Sequence, residues 1–178
     1  MSDMLKHVLV GDALGDWTAT KKIPPAVGGI AAFALGVISH AIMDRIDPDY
    51  TVNWFNPLER HLAVPFLAIQ ILGVLAVLWL MNRHRGRNRR RFAFRLWGIA
   101  GAVAPDLIDG LYAILNPAAW YAGSLLLPWH SNRGPIPRLS MMQTLSLSLL
   151  LFALRFGIGP TVRAARRYLY PGGMPGID

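Results

Sequence analysis

Two long runs of the chain, Ile23–Met43 and His61–Asn82, contain no Asp, Glu, Lys or Arg. A helix needs roughly 20 mostly apolar residues to cross the hydrocarbon of a bilayer, and both runs meet that length. Two further apolar stretches, Leu96–Pro105 and Leu139–Leu154, reach it only by continuing through embedded charge: Asp106 and Asp109 after the first, Arg155 after the second. A fifth segment, MLKHVLVGDALGDW from Met4 to Trp17, carries Asp12 and Asp16 and is too polar to face lipid all round. It reads as a short helix packed against the others. The expected fold is therefore all-α, a polytopic membrane bundle of about five helices, with four spans and a short polar N-terminal helix. One domain covers residues 1–170, and the Gly- and Pro-rich residues 171–178 form a flexible tail.

Composition agrees. Of 178 residues 53% are hydrophobic and 16% charged, against a usual charged share of about 25%. The chain has no Cys, which excludes disulfides, a Cys nucleophile and thiolate metal sites. Net charge is +8. The basic residues cluster in RHRGRNRRRFAFR (Arg83–Arg95), at Lys21 and Lys22, and at Arg163, Arg166 and Arg167. The RHRGRNRRR part of that first cluster (Arg83–Arg91) lacks interleaved aromatic stacking residues, and no nucleic-acid-binding motif lies beside it. It reads as a topology signal, so no nucleic-acid partner is expected and membrane lipid is. The positive-inside rule puts the Arg83–Arg91 loop in the cytoplasm, within an inner-membrane protein, and Asp44, Asp47, Asp49, Glu59 and Asn116–Arg138 on the opposite side.

Small residues one turn apart, Gly11 and Gly15, then Gly28, Ala32 and Gly36, allow helix backbones to approach closely. Pro24 and Pro25 break the chain between them and predict a tight helical hairpin. If the hairpin turns near Pro24, His7 lies level with His40.

The polar residues of these apolar helices carry the functional signal. His40 and Asp44 are four apart, and Asp106 and Asp109 three apart, so each pair shares a helix face. With His7 and His130 they fall at one end of the bundle. Three His and three Asp form an N/O set suited to a divalent metal such as Zn, Mn or Fe. The expected metal ligands are His7, His40, Asp44, Asp106 and Asp109. Asp12 or Asp109 would act as general base, and His130 as a ligand or as proton donor to a leaving group. The bland alternatives are an Asp106 N-cap after Pro105, packing histidines, and Asp12 and Asp16 paired with Lys or Arg across a helix interface.

The ordered motifs GVISHAIMD (Gly36–Asp44) and GAVAPDLIDG (Gly101–Gly110) resemble those of small, uncharacterised prokaryotic membrane proteins. These look related to the membrane-bound metal-dependent hydrolases of the LexA-regulated type. The chain departs from that pattern by placing H-x-x-x-D before P-D. It also has Ile46-Asp47-Pro48-Asp49 where relatives carry P-H-x-D. The resemblance implies hydrolysis of an ester or phosphoester, in a lipid or another small molecule. The reading from another class is a non-enzymatic membrane protein, such as a small transporter subunit or scaffold. There the buried His and Asp would form a proton or cation path or interhelical glue.

Overall fold

The chain is described here by a computed structural model covering residues 4–46, 57–83, 88–116, 126–127, 141–158 and 161. Every regular element among these is helical: α1 (Met4–Ala19), α2 (Pro25–Ile46), α3 (Pro57–Arg83), α4 (Arg89–Leu115) and α5 (Met141–Phe152). A π-helical turn, Ala153–Ile158, continues α5. His130, Asp47, Asp49, the 171–178 tail and residues 84–87 of the Arg-rich loop lie outside the described residues.

Local chemistry sets the helix ends. At the close of α1, Thr18 Oγ1 donates to the Leu14 carbonyl and Thr20 Oγ1 to that of Trp17. Pro24 cannot continue the ladder, and Pro25 occupies the first helical position of α2, where its missing N–H costs nothing. Asn88 caps α4 by accepting from the Arg91 amide at 2.9 Å. Arg90 Nη2 then donates to the Lys21 and Ile23 carbonyls at 2.8 and 2.7 Å, which fixes the start of α4 against the α1–α2 turn. Thus α4 runs parallel to α2 and antiparallel to α1.

The glycines foreseen as hairpin contacts serve a third helix. The Gly98 carbonyl of α4 lies between Gly11 and Gly36; a Cβ on Gly11 would stand 2.6 Å from that oxygen, and one on Gly36 would also clash with it. Gly15 and Gly101 likewise have α4 and α2 backbone, respectively, where a Cβ would sit. Such contacts let α1, α2 and α4 pack backbone to backbone. On the other side of α1, Leu5, Val8 and Leu9 pack with Val77 and Met81 of α3, flanked by Ile99 of α4 and Phe152 of α5.

The short polar helix α1 is thus enclosed by its neighbours. Lys6, His7, Asp12, Asp16 and Thr18 of α1 are all buried, while Ile30, Val64, Leu72, Leu107 and Ile114 of the surrounding helices are exposed. The expectation of four spans is only partly met. Among the described residues two helices are long and apolar enough to cross a membrane, over Pro25–Asp44 and Val64–Arg83. The 27 residues of α4 are long enough, but Arg95, Asp106 and Asp109 interrupt them. The last apolar stretch, Ser146–Ile158, is short.

Candidate metal centre

The hairpin register brings α1 and α2 together as their spacing predicts. The rings of His7 and His40 stack with centroids 4.0 Å apart and planes 26° from parallel. One turn beyond His40 on the same face, Asp44 reaches the Nε2 edges of both stacked rings with its carboxylate. Its Oδ1 lies 3.2 Å from His7 Nε2, and its Oδ2 lies 3.0 Å from His40 Nε2. From α4, Asp106 Oδ1 approaches His40 Nε2 to 3.8 Å. His7 and His40 are fully buried, and Asp44 nearly so. His7, His40 and Asp44 each offer a ligand atom within 4.8 Å of the others, so the three could hold a metal ion.

The tautomer of His40 is decided by its other nitrogen. Its Nδ1 is 2.6 Å from the Ala102 carbonyl oxygen, which can only accept, so Nδ1 carries a proton. A neutral His40 then turns its Nε2 lone pair toward the Asp44 carboxylate. Two acceptors at 3.0 Å repel unless a proton or a metal cation lies between them. Protonating both stacked rings would place two like charges 4.0 Å apart in a dry interior, which is costly. A cation shared by the group meets both demands. The separations also suit an ion: ligand atoms about 2.0–2.2 Å from one metal lie roughly 3.0–3.5 Å from each other. The Nδ1–H to carbonyl bond is the support that a metal-ligating histidine usually has.

The other sequence candidates lie elsewhere. Asp109 is buried but is not part of the three-residue group; its Oδ1 accepts from the Leu127 amide at 3.0 Å and so ties α4 to residues 126–127. Asp12 is fully buried between two guanidiniums, with Arg95 Nε at 2.5 Å and Arg155 Nε at 2.7 Å. Both Asp12 carboxylate oxygens thus accept from guanidiniums, which is the ion pairing weighed beside its expected general-base role. Asp16 pairs with Arg91 through Nε and Nη2 and with Arg155 Nη2 at 2.9 Å. Pro105 lies inside α4, which rules out the N-cap alternative for Asp106.

Sequence reasoning missed two participants. Ala102 acts through its carbonyl, which no side-chain pattern announces. Pro105 withdraws its donor from the Gly101 carbonyl rather than from that of Ala102, so it is no signal for this contact. The second is Gln70, fully buried on α3, whose Oε1 accepts from the Leu5 amide at 2.8 Å. A lone amide inside an otherwise apolar run was the clue.

Comparison of the chain with protein-family models, with curated proteins and with solved structures finds no match.

Proposed function

We propose that this chain is a membrane-embedded, metal-dependent hydrolase of ester or phosphoester bonds, with His7, His40 and Asp44 as its ligands. The observation that carries the reading is the His40 ring, fixed through Nδ1 so that Nε2 faces Asp44. An ion held there supplies Lewis acidity toward a carbonyl or phosphoryl oxygen and toward water. Asp106 borders the group with its side chain 23% exposed. It is the carboxylate placed to take a proton from an attacking water or to serve as a further ligand. The stack of His7 on His40 keeps bulk water from the far side.

The apolar outer faces of α2, α3 and α4 favour a bilayer setting, with the Arg-rich end of the bundle cytoplasmic. The motif resemblance to the metal-dependent membrane hydrolases points the same way. The non-enzymatic reading has one observation in its favour: two fully buried histidines suit a proton or cation path as well as a ligand set.

The purified full-length protein, loaded with Zn or Mn, is assayed on chromogenic ester and phosphodiester substrates in detergent. Hydrolysis lost on chelation, restored by metal and abolished in His40→Ala is the expected result. In Asp106→Asn, kcat falls while metal stays bound. Metal bound by the wild type without any hydrolysis would leave the cation-path reading in its place.

A further inference from the structure

A cavity of about 210 Å³ opens beside Asp106, between α1, α3 and α4. Its wall is apolar, formed by Met4, Phe66, Leu67, Val103 and Leu107, with Asp106 and Gln70 as its polar members. It is larger than the roughly 150 Å³ apolar cavity that accommodates benzene. Leu107 lines it and is also 68% exposed, so the cavity gives onto the apolar outer surface of the bundle.

Gln70 makes this more than a packing gap. The Leu5 amide donates to Oε1 and thereby fixes which end of the carboxamide is which. The other end, Nε2, is buried and finds no acceptor among the described residues. A buried amide donor is expensive to leave unmade; Gln70 lines the cavity, and a small shift of its side chain would bring Nε2 to a ligand oxygen there. Asp106 selects against an anionic group there, because a phosphate beside a carboxylate is repelled. A neutral carbonyl is accepted.

We infer that this cavity is an acyl-chain site, in which Gln70 Nε2 donates to the ester carbonyl of a membrane lipid while the first methylenes pack on Phe66, Leu67 and Val103. The hydrocarbon enters laterally past Leu107. The carbonyl carbon is thereby held next to Asp106, whose Oδ1 is 3.8 Å from His40 Nε2. The inference rests on the hydrolase reading for its choice of an ester and names the substrate class of that same centre. Gln70 is a substrate-binding residue in this scheme, and Leu5 a positioning one.

The test uses the full-length protein in vesicles of phosphatidylcholine carrying a diazirine near the acyl carbonyl. After illumination, adducts are mapped by peptide mass spectrometry, and metal content is measured on the same samples. Adducts are expected in the Phe66–Gln70 and Val103–Leu107 peptides above the level on other outward faces. Val103→Trp fills the cavity and should lower them by roughly tenfold, the factor that about 1.4 kcal/mol of binding represents. Leu107→Trp, at an exposed position, does the same at the entrance without threatening the core. Gln70→Glu keeps the acceptor for Leu5 but removes the donor, and adducts at Val103–Leu107 should fall. Adducts spread evenly over the outer helices, and unchanged in Val103→Trp and Leu107→Trp, overturn the site. Cavity adducts on a protein that holds no metal would leave this site standing and remove the hydrolase reading; metal without cavity adducts would do the reverse.

Discussion

The central helix contributes to two buried polar clusters little more than a turn apart, and the partners described for their carboxylates differ in kind. Around Asp12 and Asp16 the counter-charges belong to the protein: Arg91 and Arg95 from α4, and Arg155 from the π turn after α5. Around Asp44 and Asp106 the described contacts include two imidazoles, those of His7 and His40. Two carboxylates against three guanidiniums make a closed set of ion pairs. His7, His40 and Asp44 instead form a group that could hold a metal ion. The first cluster thus reads as a fastener between α1, α4 and α5, and the second as a candidate metal site. Their shared residue types hide this, because only the partners distinguish Asp12 from Asp44.

The sharpest way to break the comparison is to remove the hub of the fastener. Asp12→Asn strands the buried ends of Arg95 and Arg155, and stability should fall by about 3–5 kcal/mol. Thermal unfolding in detergent reads this, and chelator should not change the size of the loss. A mutant as stable as the wild type would mean that the Asp12 pairs do not hold the helices together.

The next effect in size belongs to the other cluster. With metal at about a hundredfold its dissociation constant, ligation contributes roughly 2.7 kcal/mol of linkage. Chelation should lower wild-type stability by that order. Asp44→Asn should match the chelated wild type and ignore chelator, because it has lost a ligand and a negative charge together. If Asp44→Asn were destabilised by several kcal/mol in chelator as well, Asp44 would be half of a His40 ion pair instead.

The smallest effect sharpens the gradient within the fastener. The Arg91 side chain is 49% exposed, unlike those of Arg95 and Arg155. Arg91→Gln should cost no more than about 1 kcal/mol, and less at high salt. A loss as large as that of Asp12→Asn would show that Asp16 depends on Arg91 rather than on Arg155.

Much of this geometry is legible in the residue order alone. The hairpin about Pro24 and the level placement of His7 and His40 follow from counting residues along two antiparallel helices. The i, i+4 spacing of His40 and Asp44 gives their shared face. The partners of Asp12 and Asp16 stay open at that level, because Arg155 lies far along the chain and only tertiary packing brings it to α1. The glycine spacing announces close approach but not the approaching helix, since Gly98 in α4 has small neighbours of its own. Asp109 carries the same pattern signal as Asp106, yet one turn of helix separates a residue beside the histidines from one that holds the Leu127 amide. The two-span result reflects the same limit. Charges in α4 that a hydropathy window counts against spanning are in part turned toward α1, as with Arg95 and Asp12.

A metal held by His7, His40 and Asp44 is best sought by X-ray absorption on the purified full-length protein, with metal content determined alongside. About one divalent ion per chain is expected, with two imidazole nitrogens and at least one carboxylate oxygen at about 2.0–2.2 Å. The imidazole signal should be lost in His40→Ala and retained in Asp12→Asn protein that still folds. A wild type without stoichiometric metal after loading, or a metal whose shell contains no imidazole, would contradict the assignment.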